Sequence, residues 1–261
     1  MSSYYFEEVS NGYMPSDWTT GPWSPDHQHG GAPTMLIGHL LQEQSQLALV
    51  RLTVEFLRPV PKKLMRAEFE KVRSGKKVES WSCSLFCDGE KVVSATGLFI
   101  QEEQQSFELP KHTTIKTPVL PDPNSQNSSK DIAFTFDTSE ANMADSIEII
   151  LSRGEYGKGE VGAWLRMRGT VLKDKPATPL DRFLAVADCG NGIAGFLDIK
   201  KYSFINPDLT VYINRLPKNE WVHSDAKSFG CHNGIGLSDS AIFDEEGFIG
   251  RVNQSLLLRE H

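Results

Sequence analysis

Two spacings of apolar residues divide the 261-residue chain. The first is a period of two: Leu52, Val54 and Phe56 share one face, as do Leu209, Val211 and Ile213, while Met65, Ala67 and Phe69 alternate with Arg66, Glu68 and Glu70. These segments predict strands, and a short acidic-glycine turn such as Asp88-Gly89 predicts antiparallel hairpins between them. The second spacing is helical. Pro33, just after Gly30 and Gly31, opens the run MLIGHLLQEQ. In the other half Thr178 reads as an N-cap, Pro179 as the first helical residue and Asp181 as the acidic residue that completes a capping arrangement. Each half then holds one helix and an antiparallel sheet whose apolar faces bury against each other, an α+β unit.

The two units repeat. LTVEFLRPV begins at Leu52 and LTVYINRLP at Leu209, an offset of 157 residues (209 − 52). The same offset sets Arg58 on Arg215, Phe86 of FCDGE on Phe243 of FDEEG, and Gly97 on Gln254. Between them, residues 102–131 are crowded with proline, serine, asparagine and glutamine and read as a linker. The expected organisation is a first unit over 1–103, a linker over 104–131 and a second unit over 132–261.

Two polar residues break the apolar pattern of the second unit. Asp188 lies four residues past Leu184, on the helix face that carries Leu180, Phe183, Leu184 and Ala187. A carboxylate there must find hydrogen-bond donors or raise its pKa, and either outcome costs stability. Gln254, in GRVNQSLLLRE, shares its strand face with Val252, Leu256 and Leu258. Its first-half counterpart is Gly97, and Asn206 corresponds to Leu49, so only the second copy is polar at these strand positions. The helices are spaced differently from their strands, and the offset leaves the counterpart of Asp188 open, with His39 as one possibility. Polar groups on the core faces of one copy imply one functional site per chain.

Composition narrows the classes of function. Apolar residues make up 39% of the chain and the 21 glycines add about 8% more, as expected for a folded globular protein. The formal net charge is -7 with no dense Lys/Arg block, which argues against a nucleic-acid partner. No apolar run approaches the roughly 20 residues needed to span a bilayer, and the start has no signal-peptide pattern, so the expected location is the cytoplasm. Cys83, Cys87, Cys189 and Cys231 lack paired CxxC spacing and read as reduced thiols. His27 and His29 in DHQHGG have no carboxylate constellation beside them and read as a polar loop, so neither a metal nor a cofactor is expected. Gly30 and Gly31 allow close backbone approach to a ligand or to the sheet.

HGGAPTMLIGHLL (29–41) followed by VEFLRPVP (54–61) resembles the first half of the double-hotdog acyl-CoA thioesterases. FLAVADCGNG, FINPDLTVYINRLP and RVNQSLLLRE are similar to their second half. The resemblance implies two fused hotdog units, hydrolysis of a fatty acyl-CoA or related thioester, no metal, and a water held by an Asp, a Thr or Ser and a Gln. Asp188 and Gln254 match. The hydroxyl position holds Asn206, with Ser203 and Thr210 the nearest hydroxyls in the sequence. Asp188 is thus the expected general base, or alternatively a nucleophile, with Gln254 and Asn206 orienting the water and amides at a helix start facing the oxyanion. His29, Gly30 and Gly31 are expected on the substrate side. Acyl-CoA is the expected partner, and exposed sheet edges point to a homo-oligomer. A non-catalytic acyl-CoA binder and a hotdog hydratase or dehydratase remain the alternatives, the latter requiring a His beside an Asp or Glu in space.

Overall fold

A computed structural model describes residues 3–103, 116–122 and 142–260. The first part runs β1 (Tyr4–Val9), β2 (Gly12–Pro15), α1 (Gly31–Glu43), β3 (Ala48–Phe56), β4 (Met65–Arg73), β5 (Val78–Cys87) and β6 (Glu90–Ile100). The second runs β7 (Ile147–Gly154), β8 (Glu160–Met167), β9 (Thr170–Leu172), α2 (Pro179–Ala187), α3 (Gly190–Ile193), β10 (Tyr202–Ile205), β11 (Asp208–Ile213), β12 (Trp221–Gly230), β13 (Ile235–Asp244) and β14 (Gly247–Glu260). Helix α1 starts at Gly31, two residues before the Pro33 start expected from sequence, because Pro33 sits inside the first turn, where its missing N–H costs no helical bond. Most of the expected linker lies outside the described residues.

The strands form a single 14-stranded sheet in the order β7-β8-β12-β13-β14-β11-β3-β6-β5-β4-β2-β1-β9, with β10 added beside β14. All pairs are antiparallel except β1 with β9. The 157-residue offset reappears in the strand limits: β5 and β13 begin and end that far apart (235 − 78 and 244 − 87), and so do the starts of β6 and β14 (247 − 90). The halves join through β3 and β11, where Thr53 stands opposite its own counterpart Thr210, and the Thr210 hydroxyl donates to that of Thr53 at 3.3 Å. A local two-fold axis therefore passes between these threonines.

Helices α1 and α2 lie antiparallel on the inner face of the sheet. They pack tightly at Gly38, where a Cβ would fall 2.1 Å from Leu184 Cδ1. The branched side chain of one helix fills the hollow that the bare backbone of the other leaves open. A single core of buried side chains, among them Leu36, Ile37, Leu52, Phe183, Leu184 and Val211, runs through both halves. The expected cap of α2 is present as a full capping box: Thr178 Oγ1 accepts from Asp181 N, and Asp181 Oδ2 accepts from Thr178 N.

Candidate active site

Asp188 is the C-cap of α2, where the helix ends and the chain turns into α3. It is 5% exposed, so its charge must be met by the protein. Oδ1 accepts two amide donors, Gln254 Nε2 at 2.7 Å and Asn206 Nδ2 at 2.8 Å. Gln254 projects from the inner face of β14, and its Oε1 accepts the backbone N–H of Asn191 at 3.2 Å, which fixes the amide with its NH2 toward Asp188. Asn206 sits between β10 and β11, a loop held to the first half by the bond from Phe56 N to Pro207 O. The three candidates from different segments of the second half thus converge on one carboxylate oxygen. Thr210, one of the two nearby hydroxyls, lies instead at the two-fold axis.

The other oxygen, Oδ2, faces the first half. His29 Nδ1 lies 3.0 Å from it and 3.1 Å from the backbone N of Gly31. These contacts need opposite states of Nδ1: bare, it accepts the Gly31 N–H, and protonated, it donates to Asp188. Gly30 and Gly31 are small because the carboxylate is close. A Cβ on Gly30 would lie 2.9 Å from Asp188 Oδ2 and 2.9 Å from the Phe56 ring, and one on Gly31 would lie 3.3 Å from Asp188 Cβ. The positive end of α1 thus abuts the carboxylate. Among the described residues the Gly30 N–H meets no protein acceptor.

His29, Gly30, Asp188 and Asn206 line one cavity of about 680 Å³, while Gln254 stands behind Asp188. Its apolar walls come from both halves, with Trp23 and Phe56 facing Ile149, Leu197 and Phe204. Trp23 and Phe204 meet edge to face, with ring centres 5.4 Å apart. Cys189 also lines the cavity, but its thiol is buried, donates to Ala185 O at 3.4 Å, and is pushed far above the ordinary thiol range by desolvation. It is not a nucleophile in this state. Among the described residues no cluster of three or more His, Cys, Asp or Glu is placed to hold a metal ion, and no helix is long and apolar enough to cross a membrane.

The other end of the helix pair corrects one expectation. His39 is not the counterpart of Asp188: its Nδ1 lies 3.0 Å from Asp181 Oδ1, so it serves the buried start of α2. With Pro33 set on Pro179, the residue at the position of Asp188 is Gln42. Its Oε1 accepts the N–H of Leu49, the counterpart of Asn206, and its Nε2 donates to Ser45 O and Leu47 O. The two-fold-related end thus holds a neutral amide tied to backbone, beside Gly97, where a Cβ would meet Phe99 at 2.9 Å and Leu49 at 3.1 Å. The contributions of Asn191 and Gln42 are not evident in sequence, since each acts through backbone partners across a turn.

An antiparallel sheet wrapped on helices, with a carboxylate in an apolar cavity at their ends, makes this an α+β fold with one candidate site at the helix ends. Within it, residues 19–100 match the acyl-CoA thioesterase N-terminal domain and residues 118–258 the acyl-CoA thioesterase C-terminal domain. The chain belongs to this acyl-CoA thioesterase family. Among solved structures it is similar to a hot dog fold protein of unknown function from Alicyclobacillus acidocaldarius, with TM-score 0.74 and 17% identity over 97% of this chain and 95% of that one. It is also similar to the acyl-CoA thioesterase II TesB2 of Mycobacterium marinum, with TM-score 0.66 and 16% identity over 89% and 90% of the two chains. The tesB protein of Mycobacterium avium subs paratuberculosis matches with TM-score 0.66 and 15% identity over 97% and 95%. The fold is the hotdog fold. No curated protein matches the chain.

Proposed function

We propose that the chain is a pair of fused hotdog units carrying one active site, and that it hydrolyses an acyl-CoA or related thioester with a water activated by Asp188. The observation that carries this reading is the unequal use of the two carboxylate oxygens: Oδ1 is held by two amides, and Oδ2 faces the cavity wall at His29 and Gly30. Oδ2 takes the water proton as oxygen attacks the thioester carbon, and His29 Nδ1 is within reach to relay it. Negative charge developing on the thioester oxygen is met by the start of α1, with the Gly30 N–H as the donor free to serve it. The C–S bond then breaks, releasing CoA thiol and the free acid. The apolar walls hold the acyl group.

Release of free thiol from short-, medium- and long-chain acyl-CoAs tests this reading directly. Turnover of at least one chain length supports it, and tight acyl-CoA binding without thiol release assigns the chain to the non-catalytic binders. Single turnover in H₂¹⁸O probes the role of Asp188: label that appears in the aspartate indicates direct attack through an anhydride opened at the aspartyl carbon, whereas general-base catalysis puts label in the product acid alone and leaves no acyl-aspartate for hydroxylamine to trap.

The His29–Asp188 contact favours a second reading. A histidine and a carboxylate together supply the acid and base that addition of water to an enoyl thioester needs. Loss of the conjugated absorbance of an enoyl-CoA without thiol release would identify that activity.

A further inference from the structure

A row of small polar side chains crosses the inner face of the second half, behind the candidate active site. Ser228 on β12 stands opposite Ser238 on β13, and Ser238 stands opposite Gln254 on β14. Side chains so placed are neighbours on one face, with Cβ atoms about 5 Å apart. The 157-residue offset sets this row on Lys71, Trp81 and Gly97, which are paired in the same order on β4, β5 and β6. There the indole of Trp81 takes the middle position, with Lys71 Nζ 4.8 Å from the centre of its ring. The second half has two hydroxyls in their places.

Those hydroxyls have no protein partner among the described residues. Ser238 is 1% exposed, and its Oγ and that of Ser228 are both buried without a hydrogen bond. The start of α3 roofs Ser238, since a Cβ on Gly190 would lie 3.4 Å from its Oγ. The Gln254 amide has two N–H groups and two lone pairs, and the protein uses one of each, for Asp188 Oδ1 and for Asn191 N. Buried polar groups in folded proteins are satisfied by protein atoms or by ordered water, and a water needs two or more such groups converging on it. Ser228, Ser238 and the unused half of the Gln254 amide converge in this way. Neighbours about 5 Å apart are spaced for one water making a hydrogen bond to each.

We propose that Ser228 and Ser238 hold a buried water against the Gln254 amide, and that Ser238 is through this water a positioning residue for Asp188. The water takes up a free position of the amide and fixes its plane, so that the Nε2 N–H stays aimed at Asp188 Oδ1. The water site stands apart from the reaction, whereas the positioning role rests on the thioesterase reading above.

Stability and a crystal structure test the site. Removing a buried hydroxyl that lacks any partner is neutral or stabilising, whereas removing one that binds a water leaves that water short of a bond. Ser238→Ala is therefore expected to melt about 2–4 °C below wild type. Crystals of wild type are expected to show a water within hydrogen-bond distance of Ser238 Oγ and the Gln254 amide. An unchanged or higher melting temperature, or a Ser238 hydroxyl turned onto a backbone carbonyl with no water beside it, overturns the site. Kinetics test the role. Ser238→Ala is expected to lower kcat for acyl-CoA hydrolysis about five- to tenfold at unchanged KM, and to cause no further loss in a Gln254→Leu background, because it acts through that amide. A folded Ser238→Ala that keeps the wild-type kcat, or a loss that recurs in full without Gln254, overturns the positioning role. A wild type that releases no thiol from any acyl-CoA removes the thioesterase reading and the positioning role together, and the crystals and the melts still decide the water site.

Discussion

A carboxylate at the last position of an amphipathic helix ordinarily turns to water, and Asp188 is kept inside by donors rather than by packing alone. Each donor acts on Oδ1, so losing one weakens the hold without creating a new charge. Gln254→Leu is expected to lower kcat by about a hundredfold with a small change in KM. It also leaves the Asn191 N–H without its acceptor and costs about 1–3 kcal/mol of stability, which steady-state kinetics and denaturant melts on one preparation separate. Gly30→Ala acts from the opposite side. Its methyl has no room between Oδ2 and the Phe56 ring, so the carboxylate or the start of α1 must shift, and at least a tenfold loss of kcat is expected, read in the same thiol-release assay.

At the scale of elements, the helix crossing decides how the two halves register. Alanine in place of a mid-helix glycine ordinarily gains about 0.5–1 kcal/mol. At Gly38 the 2.1 Å approach to Leu184 reverses the sign, and Gly38→Ala is expected to cost about 1–3 kcal/mol. Leu184→Ala costs about 2–5 kcal/mol by the cavity it leaves, and the double variant is expected to cost less than the sum, because the new methyl partly fills that cavity. Chemical denaturation of the three variants measures this coupling.

A second element-level prediction concerns β12. His223 is buried beside Trp164 and Phe243, Ser152 Oγ lies 2.8 Å from its Nε2, and desolvation lowers its pKa to about 4. The unfolded chain therefore binds a proton at this residue between about pH 6.5 and pH 4 that the folded chain refuses. The associated stability is present above pH 6.5 and is lost as pH falls through this window, on the order of 3 kcal/mol. Melting temperatures of wild type at pH 7.5 and pH 5 are expected to differ more than those of His223→Leu, and equal pH dependence in the two proteins would contradict the assignment.

The whole molecule explains why some of this was legible in the sequence. Strand alternation, the capping of α2 and the 157-residue offset are local or periodic, and the same registers appear in β5, β6, β13 and β14. Asp188 and Gln254 stood out because each breaks a period that the sheet or helix imposes. The counterpart of Asp188 did not, because the offset between helices is 146 residues (179 − 33) against 157 between strands, with α3 and β10 lengthening the second connection. The offset between strands therefore does not reveal Gln42, and leaves His39 as a candidate. The His29–Asp188 contact joins residues far apart in the chain and depends on the antiparallel crossing of α1 and α2, which no spacing encodes. The two-fold arrangement gives the helix pair two equivalent ends. One carries Asp188, Asn206 and Gln254, and the other Gln42, Leu49 and Gly97, so only one end has an ionisable group at this position.

That asymmetry makes the carboxylate the centre of the account. The direct test is release of CoA thiol from an acyl-CoA series by wild type and by Asp188→Asn, with thermal melts showing that both are folded. Asparagine keeps the size and the acceptor oxygen for Gln254 and Asn206 but cannot take the water proton, so a loss of at least a hundredfold in kcat is expected in an otherwise folded protein. A folded Asp188→Asn that hydrolyses acyl-CoA at the wild-type rate would contradict the account.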